Sequence, residues 1–212
     1  RRAWQKPHPD VVPYSHRDYG NRAGFFRMME AMAKYNVRGS VSLNVAICQH
    51  HPELIKVCNE LDWELFSHGI YNTRYTYTMS EAQERAMMKD VIDTIKDASG
   101  QDVAGWLAPA LSYTTNTFEL LAEFGIQYTC DLFHDDQPQP VNTKSGRLIS
   151  VPYSLEMNDT VVLSMMGKSS RHYSDILKAN FDQLYEEGAE NGQVMCIPLH
   201  PFLIGQPHRI GN

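Results

Sequence analysis

The sequence predicts an α/β fold built on a largely parallel sheet, and two observations predict it. Helix-period segments and short β-branched runs alternate at least five times along the chain, the order that parallel strands joined by helical crossovers require. Side chains capable of chemistry also stand at the carboxyl end of most strand candidates, where both open parallel sheets and closed barrels carry their sites. With 212 residues, 42% of them hydrophobic, the chain is sized for one core, so a single domain over residues 1–212 is expected. The opening "RRAWQKPHPD" lacks a methionine and the chain stops soon after a strand-like run, so both termini read as trimmed.

After a proline-containing lead-in, "NRAGFFRMMEAMAKYN" spaces Phe25, Met28, Met29 and Met32 as one helix face, with Asn36 as a stop. "VRGSVSLNV" then reads as a strand, and "HPELIKVCNEL" as a helix with Pro52 in its first turn and His50-His51 at its entry. "DWELF" is a short strand, and "SEAQERAMMKDVIDTIKDASG" a helix opened by a Ser80-x-x-Gln83 capping box and closed by Gly100. The alternation continues through strand "VAGWL", a helix capped by Asn116 with Glu119, and strand "IQYTC". "DLFHDDQPQPVNTKSG" is a long loop, "RLISVPY" and "TVVLSM" are strand candidates, and a helix follows with Ile176, Leu177, Phe181 and Leu184 inward, ending at Gly188. "QVMCIPLH" is the last strand. Along "DWELF", an inward His68 implies an inward Phe66 and Glu64, and a buried Glu64 needs a partner.

The net charge of −6 comes without a basic stripe, which argues against nucleic acid and anionic membrane surfaces as partners. No apolar run approaches the roughly 20 residues that span a bilayer. A small molecule or neutral polymer is the expected partner. Cys48, Cys58, Cys130 and Cys196 are widely spaced among apolar residues and read as reduced core thiols, which with the lack of a signal-peptide pattern favours the cytoplasm.

The strand-end residues are Asn44, Ser67, His68, Trp106 to Pro109, Asp131 and His200. Asp131 suits water activation or orientation of a histidine, and Asp135 and Asp136 lie in a "DDQP" turn. Arg22 and Arg74 each offer a fork of donors to a carbonyl-rich substrate, and Asn72, Trp106, Pro109 and Asp136 are the further candidate substrate contacts.

"WELFSHG", "GWLAPA", "LLAEFGIQYTCD", "DDQP" and "LHPFLIGQPHRI", in this order, resemble the polysaccharide deacetylase family, and within it the metal-optional allantoinase-like branch. The resemblance runs from about Tyr19 to Arg209. It implies a distorted (β/α) barrel with about seven strands, and hydrolysis of N-acetyl groups on sugars or, in this branch, of C–N bonds in small cyclic ureides and imides. His68 matches the first histidine of the family's H-x-x-x-H metal pair, whereas the second position holds Asn72, a weak zinc ligand. The arginine of the family's R-x-P motif is replaced by Leu107, and "IPLHP" assigns His200 as general acid. The family's Asp-Asp pair has either a remnant in "RDYG" or was lost upstream. The cofactor is thus one divalent metal such as zinc, ligated in part by His68, or none. A small cyclic amide, ureide or imide is the first substrate reading. An N-acetylated sugar is the second, and a non-catalytic ligand-binding descendant the third. The resemblance also implies a homo-oligomer.

Overall fold

A computed structural model describes residues 9–211. Its helices are α1 (Val11–Tyr19), α2 (Phe25–Ala33), α3 (Ala46–His50), α4 (Pro52–Glu60), α5 (Glu81–Ser99), α6 (Thr117–Glu123), α7 (Ser170–Glu187) and α8 (Pro201–Ile204). Its strands are β1 (Ser40–Leu43), β2 (Glu64–Ser67), β3 (Gly105–Trp106), β4 (Tyr128–Thr129), β5 (Gln139–Val141) and β6 (Leu148–Ser150). Two compact units contain them. A helical unit takes the described residues of Arg1–Val37, Leu155–Ala179 and Ile197–Asn212, and a sheet unit takes Arg38–Ser154 and Asn180–Cys196.

The sheet unit holds six strands in the order β1-β2-β3-β4-β6-β5, parallel throughout except for the antiparallel β5–β6 pair. This is the α/β architecture that the alternation predicts. β5 lies inside the expected long loop and carries Pro140 opposite Ile149 at the end of the strand order. On one face of the sheet Phe66, Leu107 and Cys130 cluster with Tyr128, Val151 and Tyr153. Glu64, on the Phe66 side of its strand, has the partner it needs, since the Tyr128 hydroxyl donates to its Oε1 at 2.8 Å. Burial and the adjacent Glu64 carboxylate raise the Tyr128 pKa. α4 and α5 pack against β2, and α6 against β6. α5 follows its prediction at both ends. The Ser80 and Gln83 side chains cap it reciprocally, and Gly100 ends it in the left-handed region at φ 76°.

In the helical unit the chain is helical from Val11 to Ala33, with a π-turn over Gly20–Gly24 between α1 and α2. Asn36 marks the stop, at φ 54°. The "RDYG" stretch therefore lies within a helix and does not close a strand.

Four local expectations are corrected. "TVVLSM" is a π-helix (Thr160–Met165): adjacent Val162 and Leu163 both bury in one cluster with Tyr173, Leu199 and Ile204, whereas a strand would send neighbours to opposite faces. "QVMCIPLH" joins no sheet; His200 has extended backbone and precedes α8 as its N-cap. Phe181 is 55% exposed and stacks on Tyr185 along the outside of α7. Asn116 makes no side-chain cap at α6; in the turn before the helix the Thr114 and Thr117 hydroxyls accept from the N–H groups of Asn116 and Thr114. The four cysteines are free thiols, and burial pushes Cys130 up to about 12. No helix among the described residues is long and apolar enough to cross a membrane.

Candidate functional site

In the sheet unit, the polar groups gather at the carboxyl ends of β2, β3 and β4. His68 follows β2, its backbone N–H donating to Leu43 O at 2.8 Å and its carbonyl accepting from Asn44 Nδ2 at 2.6 Å. Gly69 turns the chain at φ 67°, a conformation that favours glycine, and a Cβ there would also press on the Pro109 ring at 3.2 Å. This turn brings the His68 ring to Leu107, with Nδ1 2.7 Å from the Leu107 carbonyl. A carbonyl only accepts, so Nδ1 carries the proton and the lone pair of the neutral ring is on Nε2.

The residue after Leu107 continues the network. Ala108 N–H donates to Asp131 Oδ1 at 2.8 Å, and the Thr129 hydroxyl donates to Asp131 Oδ2 at 3.0 Å. Asp131 is buried, and burial pushes its carboxyl up to about 6 despite those two donors. Pro109 opens a short 3₁₀ turn to Leu111, in which Ala110 and Leu111 both have positive φ, 51° and 54°. Two consecutive non-glycine residues in that region cost about 1–2 kcal/mol each. The loop after β3 is thus strained, with Asp131 bonded at its base.

The helical unit holds a polar group of its own. His200 Nδ1 lies 2.6 Å from Asp159 Oδ1, while the backbone N–H of His200 donates to Oδ2 of the same carboxylate at 2.8 Å. Thr160 Oγ1 is 3.0 Å from the same Nδ1. Asp159 is fully buried and the His200 side chain is 37% exposed. One carboxylate therefore fixes both the backbone and the ring of His200, leaving Nε2 as the proton-exchanging nitrogen. Asp159 itself is held by its N–H to Pro198 O, and Asn158 Oδ1 accepts from Thr160 N–H.

The structure brings His68, Leu107, Ala108 and Asp131 into one hydrogen-bonded network, with Pro109 buried beside it. Asn72, Arg74 and Asp136 lie on exposed loop positions of the sheet unit. Arg22 is exposed on the π-turn, 3.9 Å from Asp18. Trp106 is fully buried, and its register with Ser67 and Thr129 puts it on the sheet face opposite Phe66, Leu107 and Cys130. Its indole N–H has no partner among the described residues. Sequence reasoning missed Asp159. Its only sequence signal is an acidic residue between Asn158 and Thr160 ahead of the β-branched run.

A catalytic zinc centre needs about three protein ligands. Among the described residues no three His, Cys, Asp or Glu side chains converge, and the position one helical turn past His68 is the exposed amide Asn72. This donor set does not fit a zinc centre of that kind.

A family model described as polysaccharide deacetylase matches residues 6–129. A Schizosaccharomyces pombe protein, provisionally named a polysaccharide deacetylase, is 28% identical over 209 residues, spanning 91% of this chain and 65% of its own. The crystal structure of Puue allantoinase superposes with a TM-score of 0.87 at 30% identity, over 95% of this chain and 67% of that one. A Pseudomonas aeruginosa PAO1 structure, named a probable polysaccharide deacetylase, gives 0.84 at 32% identity over 93% and 66%. The chain spans about two thirds of the length of each of these proteins.

Proposed function

The chain belongs to the polysaccharide deacetylase family, and from that premise we propose that it hydrolyses a non-peptide carbon–nitrogen bond in a small cyclic amide, ureide or imide. The His200–Asp159 pair carries the proposal. Attack of water on an amide-type carbonyl gives a tetrahedral oxyanion, which collapses forward only when the departing nitrogen receives a proton. An imidazole oriented by a buried carboxylate through Nδ1 delivers that proton from Nε2, a step worth about 10²–10⁴-fold.

The sheet unit carries a polar set of its own, in which the His68 ring bonds the Leu107 carbonyl through Nδ1. Asp131 keeps the residue 107–110 loop in place. No step is routed through a metal, since the described donor set does not fit a three-ligand zinc centre.

The substrate class rests on Asn72 and Leu107, which replace the family's metal histidine and arginine, and on the likeness to an allantoinase at 30% identity. Family membership favours a second reading, N-deacetylation of an acetylated sugar. Turnover of allantoin, cyclic imides and N-acetylated chitooligosaccharides by the protein separates them. Release of a ring-opened product with no acetate is the expected result. Acetate release from the oligosaccharides alone selects the second reading, and no turnover of any substrate selects a ligand-binding descendant of the fold.

A further inference from the structure

The geometry points to Gly20 and Gly24 as positioning residues for His200, acting through a side-chain-free groove that seats the His200-Pro201-Phe202 turn. The two glycines are four apart on the π-turn and so share a face. Backbone fills the space where their side chains would be. A Cβ on Gly20 would lie 2.7 Å from Phe202 N and 3.1 Å from Phe202 Cβ, and one on Gly24 would lie 2.0 Å from Pro201 O. The approach is reciprocal, since a Cβ on Gly205 would come within 2.4 Å of Gly24 Cα. Neither π-turn glycine has positive φ, so close approach, and not backbone conformation, is what requires glycine here.

Three further contacts hold the same turn against the same rod. The Arg27 guanidinium donates to Gly205 O at 3.0 Å, and Arg17 lies 4.0 Å above the Phe202 ring. His16 meets that ring edge-on at 5.2 Å, and His200 packs against it at 5.7 Å. The consequence for chemistry follows from Asp159. Its carboxylate binds the backbone N–H and the ring of His200 at once, so moving Pro201 shifts one bond against the other. A methyl at position 24 cannot fit without such a movement. Misplacement of a reacting group by about 1 Å costs on the order of 100-fold in rate.

This inference rests on His200 being the proton donor, but its test has a readout that needs no substrate. In protein labelled with ¹⁵N-histidine, the Nδ1 proton of His200 in its short bond to Asp159 gives a downfield resonance, assigned by its loss in Asp159→Asn. Gly20→Ala and Gly24→Ala are expected to weaken or abolish it while thermal unfolding stays cooperative, and to lower kcat at least tenfold with KM changed less than twofold. Gly192→Ala, where a methyl meets open space, is the control and leaves both unchanged. On the Asp159→Asn background, Gly20→Ala should have little additional effect on kcat. The resonance and kcat unchanged in the folded glycine variants, or full additivity with Asp159→Asn, would overturn the inference. Failure of both variants to fold would overturn it too, by making the groove a folding element. Absence of turnover with every substrate, with the resonance behaving as expected, would instead sink the hydrolase reading and leave the groove's role in aligning His200 intact.

Discussion

At the level of single residues, two buried carboxylates, one in each unit, differ in what they bind. Asp159 is buried but serves His200 with both oxygens. Asp159→Asn can no longer stabilise a charged imidazole, so kcat is expected to fall on the order of 100-fold with little change in KM; a loss in KM alone would show that His200 does not donate the proton. Asp131 is raised from 3.8 to about 6 by burial. Its folded form binds a proton more tightly than the unfolded chain, so its contribution to stability is greatest below 3.8, is lost as pH rises through about 6, and is flat above. The span is on the order of 2–3 kcal/mol. Urea midpoints measured across that window should flatten in Asp131→Asn, and an undiminished slope would assign the pH dependence elsewhere. His68, Asp131 and His200 stand out in the sequence because they follow apolar strand-like runs. Asp159 does not, because its bond to His200 joins positions 41 residues apart and no local pattern marks the partner.

Among the elements, legibility tracked whether local chemistry agreed with packing. α5 has a cap, a period and a glycine stop that all agree, and the helix follows them from end to end. Removing the cap hydroxyl in Ser80→Ala is expected to cost about 1 kcal/mol in the denaturation midpoint without altering activity; no change would mean that the start of α5 is held by packing alone. The π-helix at Thr160–Met165 shows the opposite case. Val161 and Val162 favour a strand, yet burying Val162 and Leu163 on one side rewards a helical turn, and tertiary packing prevails over β-propensity. α3 and α1 were invisible for a simpler reason. α3 has five residues, and α1 carries Pro13 and an outward Val11, Val12 and Tyr14 that blur any apolar stripe.

Over the whole chain, alternating elements were enough to predict the parallel sheet, but not the donor set. A metal site is a convergence of distant side chains, and one histidine in a familiar turn does not supply it. Hydrolysis is therefore expected to survive dialysis against a strong zinc chelator, and a loss of activity restored by zinc would show that ligands beyond the described donor set complete a centre.

The far end of the strand order has a consequence for self-association. Strands left unpaired at a sheet margin invite like strands from other molecules, the first step towards fibrillar aggregates. β5 is three residues long, runs against its neighbour, and has at its centre a proline without an N–H to offer. That margin is a poor template for polymerisation. Replacing Pro140 by valine is expected to restore the missing donor, raise strand propensity and bring thioflavin-positive aggregation to lower protein concentrations, a liability that the present residue keeps in check.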